Sequence, residues 1–417
     1  MKIYLVGGAV RDRLLSRQVS ERDWVVIGAT PEQMLALNYR QVGKDFPVFL
    51  HPETSEEYAL ARAERKIGPG YTGFAVDATP QVSLEEDLRR RDLTINAMAE
   101  DEAGNITDPY GGMQDLNARI LRHVSEAFVE DPLRVLRVAR FAARYATLGF
   151  CVAEQTMDLM RQISAGGELA TIAPERIWVE TQKTLQEETP SVYFEVLRQC
   201  GALQQLFPEL AALWGVPQRK DYHPEVDTGI HTMLVVDAAA KISSDVGVRL
   251  AALLHDLGKA KTPAEILPSH HGHEVAGVPL IRKLCDRVRV PTQMKELAML
   301  VGEYHTHAHR ALELKPVTAW KLLEKLDVMR RPERVEQFLM ACLADCRGRP
   351  GYENEQYLQA DYLRELANAC RSVSTTEFLT QGLTGKAVGA ALLQRRLERI
   401  AEIKHDFTPN NKPFDNS

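Results

Sequence analysis

Strand-like runs stop early in this chain. Short apolar runs bounded by turns occur at Ile3 to Val6, Trp24 to Ile27, Phe46 to His51, Glu57 to Ala63 and Ile106 to Asp108. From about Leu116 onward the sequence reads as helix after helix, punctuated by Pro and Gly, with no internal repeat or low-complexity tract. That asymmetry restricts the fold to an α/β head followed by an all-α remainder. Within the head, Pro31 to Leu37 is expected to be a helix capped by Thr30, and Glu57 to Arg62 a central strand. Ala63 to Thr79, with Gly68, Pro69, Gly70 and Gly73, reads as a loop able to clamp substrate. Asp406 to Ser417 reads as a disordered tail.

The head opens on chemistry. Ile3 to Val6 is expected as a strand that stops at Gly7-Gly8, and Ala9 to Leu15 as a helix. Main-chain N–H groups at Gly8, and Arg11 on the first turn, can therefore approach a phosphate. The next strand carries Glu21 and Asp23, whose separation of two residues puts both carboxylates on one face. Paired carboxylates beside a phosphate cradle suit a Mg²⁺-dependent phosphoryl or nucleotidyl transferase. Glu57, on the neighbouring strand, is either a third carboxylate or that strand's solvent-facing residue.

A chain of 417 residues with 45% hydrophobic content can bury a large core and suggests two to four domains. No apolar run approaches ~18 residues and the N-terminus lacks a charged n-region, so neither a membrane span nor a signal peptide is expected, and the cytoplasm is the default compartment. Cys151, Cys200, Cys285, Cys342, Cys346 and Cys370 lie in helical contexts without a metal-ligand spacing, as reduced, mostly buried thiols would. A net charge of −6 argues against an indiscriminate nucleic-acid binder but leaves room for RNA on a local basic patch.

Two further stretches concentrate charge. Arg89-Arg90-Arg91-Asp92-Leu-Thr-Ile-Asn96-Ala joins a basic triplet to a segment with helical spacing of apolar residues. Glu130-Asp131-Pro132-Leu-Arg134 opens a helix with Asp131 as expected N-cap, and Arg134, Arg137, Arg140 and Arg144 share one third of its circumference, facing a cleft. Asp131 can only accept hydrogen bonds and Arg134 can only donate them. Cytosine and adenine both present an exocyclic amine beside a ring acceptor, so this pair would take CTP and ATP and refuse GTP and UTP.

These motifs resemble the polymerase-β-type nucleotidyltransferases, specifically bacterial tRNA CCA-adding enzymes and their poly(A) polymerase relatives. The family's metal pair is Asp-x-Asp. Here the first position is Glu21, one methylene longer and still able to ligate Mg²⁺. The resemblance implies that Gly8, Arg11, Arg91, Asp131, Arg134, Arg137 and Arg140 bind the nucleotide, that Asp92 and Asn96 hold the local turn, and that Asp108-Pro-Tyr-Gly-Gly112 closes the head.

Downstream, His231, the dipeptide His255-Asp256 and Asp345 occur in the order of the HD superfamily of metal-dependent phosphohydrolases, which they resemble. Two imidazoles and two carboxylates suit a divalent transition ion such as Ni²⁺, Mn²⁺, Co²⁺ or Fe²⁺. His270, His271, His273, Glu274, Glu303, Tyr304 and His305 lie between these ligands, either holding phosphate or a second metal or simply exposed. Lys259 is either a phosphate contact or a surface charge.

The joint resemblance is to the multifunctional CCA proteins of gammaproteobacteria. It implies a nucleotidyltransferase head over 1–115, a helical neck and body over 116–226, an HD domain over 227–346 and a helical tail over 347–417. The implied activities are CCA addition to tRNA from CTP and ATP, and phosphatase, 2′,3′-cyclic phosphodiesterase and 2′-nucleotidase action on RNA ends or nucleotides, by a monomer or homodimer. The rivals are a poly(A) polymerase, and an HD phosphohydrolase whose head only binds RNA.

Overall fold

The computed structural model describes residues 1–19, 21–43, 48–66, 74–77 and 79–407. The chain divides into two compact units, Met1–Thr184 with Val192–Leu206, and Leu185–Ser191 with Phe207–Ser417.

In the first unit the chain runs β1 (Lys2–Val6), α1 (Gly8–Leu14), β2 (Asp23–Ile27), α2 (Pro31–Ala36), β3 (Arg40–Val42), β4 (Val48–Leu50), β5 (Glu57–Leu60), β6 (Ala63–Lys66), β7 (Phe74–Asp77), α3 (Leu84–Arg89), β8 (Ala99–Glu100) and β9 (Ile106–Thr107). The sheet order is β3-β4-β5-β2-β1-β8-β9. β2 and β5 run parallel, with Asp23 opposite Glu57, while β1 pairs antiparallel with β2, setting Val6 opposite Asp23. Alternation sorts the side chains into two layers. Val6 and Val25 join Ala61, Val82 and Leu88 on one face, under α3; Val26, Tyr58 and Leu60 join Phe49 and Met34 on the other, under α2. Asp23 shares the parity of Val25, so its carboxyl stands at the end of the α3-covered face.

Several expectations shift. β2 begins at Asp23, so Glu21 precedes the strand instead of lying on it. The register explains this: β1 ends at Val6, and nothing lies beyond it to pair with Glu21. α2 begins after Thr30, as expected, with a full capping box to Gln33. The segment expected as a clamp loop holds the antiparallel pair β6 and β7. Its Gly68, Pro69, Gly70 and Gly73, like Phe46 and residues 408–417 of the expected tail, lie outside the described residues. Leu93 to Met98 forms only a single 3-10 turn at Thr94–Asn96, because it is buried all round and has no wet face to set a helical period.

The unit continues with α4 (Gly112–Ala118), β10 (Ile120–Leu121), α5 (Leu133–Tyr145), β11 (Cys151–Val152), α6 (Glu154–Ala165), α7 (Pro174–Leu185), α8 (Ser191–Gln199) and α9 (Ala202–Leu206). Strands thus recur after Leu116, among the described residues only as the two-residue pair β10 and β11. Asp108 caps α4 through the Gly112 and Met113 N–H groups.

The second unit carries α10 (Pro208–Ala211), α11 (Thr228–Ile242), α12 (Val246–Leu254), α13 (His273–Arg287), α14 (Thr292–His309), α15 (Pro316–Lys325), α16 (Pro332–Arg347), α17 (Leu358–Ser372), α18 (Thr376–Thr380) and α19 (Lys386–Asp406). α12 is its axis. Every residue from Val246 to Leu254 is buried, packed by α11, α14 and α16. Each buried Leu or Val there contributes about 1.5–3 kcal/mol relative to exposure. Asp245 caps α12 by accepting from Gly247 N at 2.7 Å, and Asp227 caps α11 by accepting from Ile230 N at 3.0 Å. The stretch Leu185–Ser191 is bound into this unit: Arg249 Nη1 donates to the carbonyls of Leu185 and Glu187, and Ser191 bonds the Asp237 carboxylate.

Among the described residues no helix is long and apolar enough to cross a membrane. All six cysteines are free. Five are buried, whereas Cys151 is exposed on β11, outside any helix.

Candidate active sites

The first site forms where β1 gives way to α1. Gly7 has φ 68, and a Cβ there would lie 2.9 Å from Arg91 Nη1, so glycine is required both by backbone and by space. Arg91 is braced by Asp87, which is fully buried and also accepts from Arg90 and from the Arg62 N–H. The Asp23 carboxyl is raised above its usual value by partial burial; the Arg91 guanidinium opposes this and the charge of Glu21 adds to it. Glu21, Asp23 and Arg91 therefore share one electrostatic neighbourhood, with exposed Glu57 opposite Asp23 in register. Two hard carboxylates that repel one another fit a Mg²⁺ ion.

The arginines of α5 are less free than their spacing suggests. α5 starts at Leu133 with Pro132, not Asp131, at its N-cap, although the Asp131 carboxylate accepts from Leu133 N at 3.0 Å. Only Arg137 and Arg144 on α5 escape burial. Arg134 donates from Nη1 to the Ala127 carbonyl at 2.8 Å and from Nη2 to the Arg90 carbonyl at 2.6 Å. Arg137 Nε lies 2.7 Å from Asp92 Oδ2, and Arg140 Nε 2.5 Å from Glu180 Oε2. Arg144 reaches Asp12 at 3.1 Å. The expected open basic face is instead a set of paired guanidinium groups held rigid against acids and carbonyls.

Arg11 belongs to the same network. It is buried between the rings of Phe141 and Tyr145, at 5.2 and 5.1 Å, and bonds both Asp12 and Asn96. Asn96 in turn donates to Asp92, which also accepts from Leu93 N and so ties the turn, as expected of both residues. The Asp92 carboxyl is held well below the usual range: burial works against ionisation, and Arg137 and Asn96 outweigh it.

The second site gathers residues from two helices and the end of a third. His231 is on α11, His255 and Asp256 follow α12, and Asp345 is on α16; all four are buried. Gly229 positions the start of α11 tightly, since a Cβ there would lie 2.5 Å from Trp214. His231 Nε2 is 3.1 Å from Asp345 Oδ1 and 3.9 Å from Asp256 Oδ2. His255 Nε2 is 3.1 Å from Asp256 Oδ2 and 3.7 Å from Asp345 Oδ1. The four expected ligands thus meet around one point.

His273 and His305 extend the cluster. Their Nε2 atoms are 3.4 and 3.6 Å from Asp256 Oδ1 and 3.3 Å from each other. His271 is exposed, and His270 is spent on Thr262 and the Pro217 carbonyl, so neither joins. Glu274 bonds Thr306. Lys259 is buried, not a surface charge, with Nζ 2.6 Å from Asp256 Oδ2 and 2.5 Å from Gln218 Oε1.

The ring orientations have a common cause. His255, His273 and His305 direct Nδ1 at the carbonyls of Ala252, His270 and Val301, at 2.7, 2.6 and 3.0 Å. A carbonyl only accepts, so Nδ1 carries the proton and Nε2 points inward. His255 Nε2 and Asp256 Oδ1 are buried without a hydrogen bond of good geometry. Burial lowers the His255 pKa, but Asp256 and Asp345 outweigh it and push it up to about 9. Asp345 lies well below its usual range, with His255 and His309 overcoming its burial. Buried imidazole nitrogens and carboxylate oxygens that crowd within 3.1 to 3.9 Å of one another fit a borderline divalent cation.

Sequence reasoning missed the supports: Asp12, Asp87, Tyr145 and Glu180 in the first unit, and Gln218, Glu225, His309 and Tyr357 in the second. Asp87 could have been found, three and four residues before Arg90 and Arg91. Glu180 lies 40 residues from Arg140 and leaves no local signal.

Family models match at three places: a poly A polymerase head domain over residues 3–122, a probable RNA- and SrmB-binding site of polymerase A over 149–213, and an HD domain over 228–342. The multifunctional CCA protein of Thioalkalivibrio sulfidiphilus is 60% identical, covering 98% of this chain and 100% of its own. That of Hahella chejuensis is 57% identical over 98% and 97%. A CCA-adding enzyme solved in its apo form II superposes with a TM-score of 0.65 at 21% identity, over 96% of this chain and 90% of the other. The Thermotoga maritima CCA-adding enzyme solved with tRNA gives 0.62 at 19% identity, over 97% and 90%. These two structures bear on the fold alone, a polymerase-β-like head followed by helices. Identity of this extent along nearly the whole of both chains, with a head match over residues 3–122 and an HD match over 228–342, makes the chain a member of the multifunctional CCA protein family.

Proposed function

We propose that this chain completes tRNA 3′ ends, transferring CMP twice and then AMP from CTP and ATP without a template, and that its HD centre hydrolyses phosphate esters on RNA ends or nucleotides as a phosphatase, 2′,3′-cyclic phosphodiesterase and 2′-nucleotidase. What carries the reading is the presence in one chain of the Glu21, Asp23 and Arg91 neighbourhood and of the buried His231, His255, Asp256 and Asp345 cluster, in a sequence 60% identical to a multifunctional CCA protein. Free thiols suit the cytoplasm.

In the head, Glu21 and Asp23 would hold Mg²⁺, which would supply Lewis acidity and charge compensation for nucleotidyl transfer. Gly8 lets the main chain approach the triphosphate, and Arg11 and Arg91 face its charge. Arg137 and Arg140, fixed by Asp92 and Glu180, present guanidinium groups that need no reordering when nucleotide arrives. Asp131 accepts from, and Arg134 donates to, the edge that cytosine and adenine share; a base read by Arg134 competes with the Ala127 and Arg90 carbonyls.

In the HD centre His231, His255, Asp256 and Asp345 would hold a divalent transition ion such as Ni²⁺, which would supply Lewis acidity for phosphate-ester hydrolysis, and Asp256 Oδ1 with His273 and His305 offers a second position. Lys259 brings positive charge to the phosphate. Asp23→Ala and His255→Ala test the division of labour. Extension of tRNA lacking its CCA end is expected to vanish only in the first, and hydrolysis of 2′,3′-cyclic AMP only in the second. Loss of both activities from either substitution in folded protein would sink the reading.

A further inference from the structure

We infer that Glu225 is the positioning residue of the HD centre: it holds the Nδ1–H of His231 so that Nε2 is presented to the cation. The inference rests on the reading of that centre as a cation site. Glu225 Oε1 lies 2.9 Å from His231 Nδ1, a close contact that is not an aligned hydrogen bond, and the glutamate side chain is only 3% exposed. His231 Nε2 is hydrogen-bonded to Asp345 Oδ1 at 3.1 Å; a cation that takes the Nε2 lone pair puts the ring proton on Nδ1, beside a carboxylate that can only accept it.

The comparison with the other rings of the cluster makes this contact distinctive. His255, His273 and His305 have their Nδ1–H groups held by main-chain carbonyls. His231 cannot use that device in the same way. Its Nδ1 turns toward the loop before α11, where Glu225 takes the place of a carbonyl with a full negative charge. An imidazole whose outer N–H is held by a carboxylate is the more basic ligand, and such outer partners typically change metal affinity by 10- to 100-fold.

Glu225 is itself fixed. His223 Nδ1 donates to the same Oε1 at 3.0 Å, and the His223 ring meets His231 edge-on at 4.6 Å. The loop that carries both is closed by Gln218 N to Val226 O at 2.6 Å, by Thr228 N to Val216 O at 3.0 Å and by Gly215 N to Asp227 Oδ2 at 2.6 Å. Glu225 Oε2 is buried without a hydrogen bond. Burying a carboxylate with one oxygen unused is costly, and satisfying His231 alone would need only a neutral acceptor.

The test uses the full chain stripped of metal, titrated with Co²⁺ by calorimetry and by visible absorption, with CTP incorporation into tRNA as an internal measure of folded protein. Glu225→Ala is expected to weaken Co²⁺ binding by about 10- to 100-fold, and Glu225→Gln, which keeps an acceptor but not the charge, by less than about 10-fold. Both are expected to displace the Co²⁺ absorption bands, because the His231 donor changes. If Glu225→Ala does not fold, Glu225→Gln decides. A folded variant that matches the wild type in both affinity and absorption overturns the inference and leaves the cation site standing. Absence of Co²⁺ binding by the wild type overturns the cation site itself.

Discussion

Gly258→Ala should separate the two activities by a purely steric route. Gly258 lies between Asp256 and Lys259 and packs against the first turn of α13. A Cβ there would stand 1.9 Å from the His273 carbonyl oxygen, 2.7 Å from Gly277 N and 2.8 Å from the His273 carbonyl carbon. All three are backbone atoms, so no side chain can swing away. Restoring ordinary contact requires α13 and the Asp256 to Lys259 stretch to part by about 1.5 Å, an overpacking that typically costs about 1–3 kcal/mol. Elsewhere in a helical turn the same change would gain about 0.5–1 kcal/mol, so a loss here must come from the contact. The displaced residues belong to the proposed HD centre. His273 Nε2 sits 3.4 Å from Asp256 Oδ1, and Lys259 Nζ 2.6 Å from Asp256 Oδ2. Misplacement of catalytic groups by about 1 Å costs about 100-fold in rate, so kcat/KM for 2′,3′-cyclic AMP hydrolysis should fall by about that factor. CTP incorporation into tRNA, measured on the same preparation, should stay at the wild-type level. Hydrolysis within about three-fold of the wild type would refute the packing argument, because a 1.5 Å displacement cannot be that cheap.

Glu21→Gln should cost nucleotide addition severely while Glu21→Asp keeps most of it, read as CTP incorporation against Mg²⁺ concentration; wild-type behaviour of Glu21→Gln would transfer the metal role to Glu57, opposite Asp23. Arg134→Ala should slow the use of CTP and ATP and narrow their advantage over UTP, which discrimination by two charge-assisted hydrogen bonds sets at about 10² to 10⁴. An unchanged CTP-to-UTP ratio of kcat/KM would reduce Arg134 to a brace for the Ala127 and Arg90 carbonyls. Asp92, depressed in the folded chain, contributes stability that is present above about pH 4 and lost as pH falls through the folded value. Asp92→Asn should therefore melt below the wild type at pH 7, with the gap closing as melts are taken down toward about pH 3; a gap constant with pH would show that Asp92 is not held ionised by Arg137.

Legibility followed the reach of each interaction. The order His231, His255-Asp256, Asp345 foretold a cluster through its likeness to the HD superfamily, and its residues lie on or just after regular helices. The glycine turn after β1 was equally plain. Glu21 was misplaced because a strand's end is set by its partner, and β1 stops opposite Asp23. The α5 arginines were read as open because their acids lie far away: Asp92 is 45 residues from Arg137, and Asp12 is 132 from Arg144. Glu225 sits in a loop, where no periodicity marks which side chain turns inward.

The path of the chain through its two units limits how the activities can be divided. Leu185–Ser191 is built into the HD unit, after which the chain returns to the head unit for Val192–Leu206. A fragment begun at Phe207 would therefore lack the Leu185 and Glu187 carbonyls that receive Arg249 Nη1, and the Ser191 hydroxyl that occupies Asp237. It would bare a guanidinium and a carboxylate beside the very helices that hold His231 and His255.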